Sequence, residues 1–149
     1  MTTLDIGVLD TSAVYSILEN EAAGPKFLDA LQRCRRLTIS ASTLAELSMV
    51  VRIRKGGSAL ALLDDFLTLL GVEIVAVDDA QIVFFREGIE KYGKGIHPAG
   101  LNFGDLFAYS LAKYLDVPLF FQGLDFQKTD IKNAMSLLGY KYSDAGEPV

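Results

Sequence analysis

The stretch IGVLDTSAVYSILE, residues 6–19, decides the fold class of this chain. Ile6–Leu9 is short, apolar and in part β-branched, which predicts a buried strand. This strand stops at the polar turn Asp10-Thr11-Ser12, and Ala13–Glu19 then has the pattern of a helix. A buried strand that runs through a short polar turn into a helix is typical of α/β proteins with a parallel sheet.

The rest of the chain continues this alternation. Further strands are predicted over residues 37–41, 72–77 and 117–121, and helices over residues 24–36, 43–55, 58–70, 78–92 and 103–115. The Gly- and Pro-containing stretch 93–104 is predicted as a loop, 135–138 as a helical turn and 143–149 as frayed. The alternation predicts a three-layer α/β/α fold with a central parallel sheet of four to five strands. We expect a single domain over residues 1–149, with a core at about 4–131 and a tail at 132–149.

Composition narrows the classes of function. The formal net charge is −5, which argues against indiscriminate binding of nucleic acid through Lys and Arg. A nuclease remains compatible with this charge, because divalent cations neutralise clustered carboxylates and then meet a phosphate. The single cysteine, Cys34, excludes an intramolecular disulfide. No apolar run reaches the roughly 18 residues of a membrane span and the N-terminus has no basic leader, so we expect a soluble, cytoplasmic protein without a membrane partner.

Four acidic residues are expected at one edge of the sheet. Asp10 follows the first strand, and Glu46 lies one turn into the helix after the second strand. Asp105 begins the helix that precedes the fourth strand, and Asp125 follows that strand. Sites in parallel sheets lie at the carboxyl ends of the strands, so these side chains should meet there. Clustered carboxylates repel one another unless a cation joins them, and oxygen ligands favour Mg²⁺ or Mn²⁺.

Each of these acids also has a purely structural interpretation. The alternatives are an N-cap at Asp10, a capping box of Thr43 and Glu46, a helix start of Asn102 and Asp105, and a turn at Asp125. Asp78 also follows a predicted strand and, with its neighbour, fits a helix start with favourable dipole placement. A position after a strand therefore does not by itself mark an acid as catalytic.

The local sequences around the four acids resemble PIN domains. The stretches are VLDTSAVYSIL (8–18), STLAELSMVV (42–51), GLNFGDLFAYSLAK (100–113) and LFFQGLDFQKTDI (119–131). They look most like the VapC-type toxins of bacterial toxin–antitoxin pairs, and the resemblance runs from about Leu4 to Ile131. It implies Mg²⁺- or Mn²⁺-dependent cleavage of RNA, a cognate antitoxin that covers the site, and a homodimer. Transfer RNA and a ribosomal RNA loop are both compatible substrates.

The resemblance also implies roles for single residues. The family's first three acids map onto Asp10, Glu46 and Asp105, and the fourth onto Asp125, with Asp130 as a nearby second candidate. In the implied mechanism Asp10 and Asp105 ligate the metal, Asp125 assists directly or through water, and Glu46 contacts a second metal or orients the attacking water. The alternative function is a catalytically weak PIN-like module that binds RNA or protein.

Further residues are candidates for contact with substrate or partner. Thr11 and Ser12 can hydrogen-bond a carboxylate or a phosphate, or simply cap the first helix. Lys94 and His97 lie in the loop that leads to Asp105 and are candidate phosphate contacts. The basic runs 33–36 and 52–55 are interpreted as favourable charges at helix C-termini, with contact to the substrate as the alternative. The helices over 13–18 and 44–51 are expected to face the core, with an antitoxin groove as the alternative, and an antitoxin is expected to insert Arg or Lys among the carboxylates.

Overall fold

The structure, a computed structural model, describes residues 1–149. The strands are β1 (Leu4–Leu9), β2 (Cys34–Ser40), β3 (Glu73–Val75) and β4 (Leu119–Phe120). The helices are α1 (Thr11–Leu18), α2 (Gly24–Gln32), α3 (Ala41–Lys55), α4 (Ala59–Leu69), α5 (Asp79–Tyr92), α6 (Phe103–Leu115) and α7 (Ala134–Leu137). A short 3-10 helix covers Phe126–Lys128. None of the helices is both long and apolar enough to cross a membrane.

The sheet is parallel throughout, with the strand order β3-β2-β1-β4. Neighbouring residues of a strand face opposite sides, so Val8 and Leu9 on β1 enter two different apolar clusters. The Leu9 cluster contains residues of α1, α2, α3, α4 and α7, whereas the Val8 cluster is built mainly on α6. Helices therefore cover both faces of the sheet, and the predicted α/β/α fold with a parallel sheet is confirmed.

The central position of β1 places Asp10 in the middle of the carboxyl edge. β1 pairs with β2 on one side and β4 on the other, and the amide of Asp10 donates to the carbonyl of Phe120 at 3.0 Å. Val8 and Leu9 are fully buried, which fixes the strand in the core directly before the acid. The end of β1 is therefore held rigidly, as a residue that must present a side chain to a site requires.

The second predicted helix is too long at its C-terminal end. The chain leaves α2 at Gln32, and Cys34 already pairs with Leu4 as the first residue of β2. Arg35 lies 3.5 Å from Asp5, and Arg36 lies 3.0 Å from Glu73 of β3. The interpretation of Arg35 and Arg36 as helix C-terminal charges is therefore wrong, because each forms an ion pair with an acid on an adjacent strand.

The C-terminal tail packs against the end of the sheet. The predicted helical turn is confirmed as α7, but residues 143–149 are not frayed. The amide of Gly123 donates to the carbonyl of Gly146 at 2.7 Å, and the Tyr142 hydroxyl donates to the carbonyl of Phe121. The tail thus satisfies backbone groups beyond β4, which is only two residues long.

Candidate active site

Asp10 is both a helix cap and a buried member of the site. Its Oδ2 accepts hydrogen bonds from the Ser12 amide at 3.1 Å and the Ser12 hydroxyl at 2.6 Å. The same hydroxyl oxygen accepts from the amide of Gln122 at 2.9 Å, which ties Asp10 to the segment after β4. Burial raises the pKa of Asp10 above its usual value, although the bonds from Ser12 oppose this shift. Both bonds from Ser12 reach Oδ2, which leaves acceptor capacity on Oδ1 for a ligand.

Glu46 lies beside Asp10 because Thr11 holds it there. The Thr11 hydroxyl donates to Glu46 Oε1 at 3.0 Å, joining the start of α1 to the second turn of α3. The predicted capping box of Thr43 and Glu46 is not formed, because α3 begins two residues earlier than predicted and its N-cap is Ser40. Thr43 is instead buried inside the helix, and its hydroxyl has no hydrogen-bond partner. Glu46 therefore takes no part in capping α3.

The other oxygen of Glu46 lies against the backbone at the start of α6. A Cβ atom added to Gly104 would stand 2.0 Å from Glu46 Oε2 and 2.9 Å from its carboxyl carbon. Such distances are far inside van der Waals contact, so only glycine at position 104 leaves this carboxylate where it is. The first turn of α6 thus brings Asp105 and Glu46 together by close approach of the backbone.

Asp105 caps α6 and is perturbed by the neighbouring acids. Asn102 and Asp105 form a reciprocal capping box, with bonds of 2.9 Å and 3.1 Å, so the predicted helix start is confirmed. Burial nevertheless raises the pKa of Asp105 to about 7, and the negative charges of Asp10, Asp125 and Glu46 add to the rise. A cap alone would lower this pKa, so the rise records first the burial of the carboxyl and then the proximity of the other three acids.

Asp125 and Asp130 differ sharply in their surroundings. Asp125 makes no capping hydrogen bond at the 3-10 helix, and its charge acts on Asp105. Asp130 accepts from the Tyr109 hydroxyl at 2.9 Å and from Lys113 Nζ at 3.0 Å. Partial burial acts to raise the pKa of Asp130, but these two donors hold it below the usual value. Of the two candidates for the fourth acid, only Asp125 is coupled to Asp105.

The acids open onto a shallow pocket of about 320 Å³. Its lining residues are Asp10, Thr11, Ser12, Tyr15, Glu46, Val50, Arg54 and Asp105. The structure therefore brings together five of the residues singled out in the sequence, while Asp125 lies outside the lining. Tyr15, Val50 and Arg54 were not singled out as site residues. Helical spacing was the available signal, because Tyr15 is four residues after Thr11, and Val50 and Arg54 follow Glu46 at four and eight residues.

The loop residues Lys94 and His97 do not reach this pocket. His97 Nδ1 accepts the amide of Ala99 at 3.0 Å, and its ring packs edge-on against Tyr92 with centroids 5.1 Å apart. Lys94 is exposed and makes no side-chain hydrogen bond or ion pair. The structure assigns His97 a role within its own loop and gives no contact that supports either residue as a phosphate ligand.

The donor set fits a hard divalent cation by its chemistry. All candidate ligands are carboxylate oxygens, and none of the four acids lies within ion-pair distance of Lys or Arg. The side chains do not converge as a preformed set, since no group of three or more acidic, His or Cys side chains is arranged to hold a metal ion. A bound cation would offset the mutual repulsion of these carboxylates and would draw the side chains inward.

Comparison with known proteins agrees with this fold. Residues 7–132 match the PIN domain family. A VapC ribonuclease of Mycobacterium bovis, Mb0640, is 40% identical over 124 residues, which cover 83% of this chain and 95% of the relative. Ribonuclease VapC42 of Mycobacterium tuberculosis is 35% identical over 128 residues, which cover 85% of this chain and 98% of the relative.

Solved structures show the same fold at lower sequence identity. VapC20 of Mycobacterium tuberculosis, described as a sarcin-ricin loop cleaving toxin, superposes with a TM-score of 0.66 at 12% identity and covers 84% of this chain and 95% of its own. VapBC2 of Rickettsia felis, solved with a promoter DNA fragment, gives a TM-score of 0.64 at 23% identity, with coverage of 86% and 96%. Together with the sequence matches, these findings mean that the chain belongs to the PIN-domain family and, within it, to the VapC ribonucleases.

Proposed function

We propose that this protein is a Mg²⁺- or Mn²⁺-dependent endoribonuclease that acts as the toxin of a toxin–antitoxin module. The observation that carries the metal dependence is the charge at Asp105. Its pKa is raised to about 7 by burial and by three nearby acids, and no Lys or Arg pairs with it. A divalent cation is the species that would stabilise these carboxylates in their ionised form.

Each of the four acids has its own role in the proposed reaction. Asp10 and Asp105 would hold the cation, and Asp125 would assist directly or through water. A cation held there would supply Lewis-acid chemistry, which lowers the pKa of a bound water and polarises a phosphate. Glu46, fixed between Thr11 and Gly104, orients the attacking water. Hydrolysis of the phosphodiester then needs no protein nucleophile.

The hydroxyls of Thr11 and Ser12 act on the acids in this scheme. Thr11 donates to Glu46 and Ser12 donates to Asp10, so both hydroxyl hydrogens are directed to carboxylates. Their role is to position ligands, which is the supporting shell that a metal site requires. In this scheme the two hydroxyls position carboxylates and do not contact the phosphate directly, which was the other role compatible with the sequence.

A cognate antitoxin is the second proposed partner, with a homodimer as the proposed assembly. Solved relatives of this fold include a toxin–antitoxin complex from Klebsiella pneumoniae, with a TM-score of 0.66 at 14% identity and coverage of 83% and 92%. Here α1 turns Ala13 and Val14 into the core, whereas Met49 of α3 and Phe103 of α6 are 61% and 73% exposed. These two side chains border a cavity of about 410 Å³ that also touches Glu46. The antitoxin would cover this apolar surface and place Arg or Lys among the acids.

The test is cleavage of RNA by the purified, antitoxin-free protein. Total bacterial RNA, which contains both transfer and ribosomal RNA, is incubated with Mg²⁺, with Mn²⁺ and with EDTA, alongside the Asp10→Asn variant. We expect discrete fragments that require metal and disappear in the variant. Binding of Mn²⁺ is measured by calorimetry on the same samples. Absence of both cleavage and metal binding in the folded wild type would overturn the proposal in favour of a PIN-like module that binds RNA or protein.

A further inference from the structure

One basic side chain, that of Arg54, lines a pocket whose other charged residues are acids. Glu46, Val50 and Arg54 are spaced four residues apart on α3 and all line the pocket wall. At about 1.5 Å of rise per residue, Arg54 lies roughly 12 Å along the helix axis from Glu46. Arg54 therefore stands at the far end of the same wall that carries the proposed water-orienting acid.

Arg54 is held at this position by an aromatic ring. Its guanidinium lies over Tyr15 of α1, 5.9 Å from the ring centroid, and Tyr15 lines the same pocket. The arginine has no ion pair and no side-chain hydrogen bond, so its five N–H donors are free. A cation over a tyrosine ring is attracted to it without loss of its hydrogen-bonding capacity.

The other basic residues of the last turn of α3 differ from Arg54. Lys55 donates to the carbonyl of Leu18 at 3.0 Å and lies 3.7 Å from Glu19. Arg52 is exposed, as Arg54 is, but it does not line the pocket. The helix dipole attracts Arg52, Arg54 and Lys55 to a similar extent. It therefore does not explain why, of the three, only Arg54 lies over Tyr15 at the pocket.

We propose that Arg54, braced on Tyr15, binds a backbone phosphate of the RNA next to the scissile one. This inference rests on the proposed ribonuclease function. Arg54 shares the pocket with the acids but pairs with none of them, so its charge is available for a polyanionic substrate. The planar guanidinium matches two phosphate oxygens, which a lysine ammonium does not. In a chain of net charge −5, such a local cation offsets the repulsion between the substrate and the acidic surface.

The experiment compares Arg54→Gln with Arg52→Gln, a matched loss of charge two residues away on the same helix. Steady-state cleavage of a single-stranded oligoribonucleotide is measured over a range of NaCl concentrations. We expect Arg54→Gln to lower kcat/KM roughly tenfold at low salt, mainly through KM. It should also reduce the log–log salt slope by about 0.7, the change for one phosphate contact on a single strand. Arg52→Gln should stay within about twofold of wild type, and Arg54→Lys should restore the salt slope but only part of the affinity.

Two further measurements separate the possible failures. Calorimetry with Mn²⁺ should show the same metal affinity in wild type and Arg54→Gln, since Arg54 touches none of the acids. Anisotropy of the labelled RNA with Ca²⁺ reports binding even without cleavage. Wild type that cleaves no RNA would overturn the proposed function, whereas equal RNA affinity and equal salt slopes for the Arg54→Gln and Arg52→Gln variants would overturn this inference alone. A loss in Tyr15→Leu that Tyr15→Phe does not share would support the bracing role of the ring.

Discussion

The two ends of α6 lie beside acids in opposite electrostatic states. At the N-terminus, Asp105 has a pKa raised to about 7 by burial and by neighbouring acids. At the C-terminal end, Asp130 pairs with Lys113 at 3.0 Å and Asp116 pairs with Lys132 at 2.8 Å, and both have a pKa below the usual value. The chain thus pairs Asp130 and Asp116 with lysines, whereas none of the four site acids is paired with Lys or Arg. Unpaired acids with a raised pKa in a pocket are candidates for binding a ligand.

The largest effect is expected from neutralising one acid at the pocket. Asp105→Asn keeps an oxygen that can accept the Asn102 amide, so the cap and the fold should survive. Loss of the charge removes a metal ligand, and cleavage should fall by at least about a hundredfold, as for removal of one group that stabilises charge in a transition state. RNA cleavage and Mn²⁺ calorimetry measure the two losses.

Asp130→Asn is the matched change at an acid that contacts the C-terminal half of α6. It weakens the bonds from Lys113 and Tyr109, so the free energy of unfolding should fall by about 1 kcal/mol while cleavage stays unchanged. Asp125→Asn should reduce cleavage and leave stability nearly the same. Inactivation by Asp130→Asn together with an active Asp125→Asn would reverse our assignment of the fourth acid.

The next effect concerns the contact that holds Glu46 at the N-terminal end of α6. Gly104→Ala would place a Cβ atom 2.0 Å from Glu46 Oε2, and the flexible carboxylate would move away. Displacing a positioned group by about 1 Å costs up to roughly a hundredfold, so we expect at least about a tenfold loss of cleavage. Stability should hold or rise slightly, because alanine favours the helix.

Gly57→Ala is the control for this substitution. Its Cβ would meet nothing within 4 Å, so cleavage should match the wild type. A fully active Gly104→Ala variant would show that the position of Glu46 does not matter for the reaction. The comparison separates a steric effect at the site from a general effect of replacing a surface glycine.

The sequence predicts the parts of this molecule that are local in the chain. The strand before Asp10, the helix after it and the helix start at Asn102 and Asp105 follow from short patterns of burial and capping. The start of β2 was missed, because Arg36 is paired with Glu73, which lies far along the chain. Local propensity cannot report a partner on another strand.

In the candidate site, too, some features follow from the order of elements along the chain and others depend on contacts between distant residues. The coupling of Asp105 to the other acids followed from the order of strands, since parallel strands end at one edge. The surroundings of Asp130 depend on Lys113 and Tyr109, which lie 17 and 21 residues away in the sequence but contact it in the fold. The bracing of Arg54 on Tyr15 depends on how α1 and α3 pack, which no spacing within either helix reveals.

A smaller effect is expected in the pH dependence of stability without metal. The pKa of Asp105 is about 7 in the folded protein and 3.8 as its ordinary value, so the folded state binds this proton more tightly than the unfolded chain. Its contribution to stability is therefore complete below about pH 3.8 and is lost as the pH rises through about 7. Relative to Asp105→Asn, the wild type in EDTA should lose on the order of 1 kcal/mol across this window, after allowance for solvent screening.

Urea unfolding at several pH values in EDTA measures this loss. Asp130 provides the contrast, because its lowered pKa stabilises the folded protein above the ordinary value and loses that contribution as the pH falls. Asp130→Asn should therefore alter only the acid side of the profile. The opposite result is a free energy of unfolding that changes with pH in the same way for wild type and Asp105→Asn between pH 4 and 8. That result would mean that the acids at the pocket do not destabilise the metal-free protein.

The smallest effect is expected at the exposed C-cap of α6. Asp116 has a left-handed backbone with φ 55°, which asparagine also tolerates, so Asp116→Asn preserves the turn. The substitution removes the pair with Lys132, whose two side chains are 55% and 84% exposed. The hydrogen bond and charge of Lys132 lower the pKa of Asp116, but solvent screens such a pair and it stabilises the fold little. We expect thermal unfolding within about 1 °C of wild type and unchanged cleavage. A larger loss would mean that the paired acids of α6 contribute to stability even at the surface, and that burial is not what distinguishes the two ends of the helix.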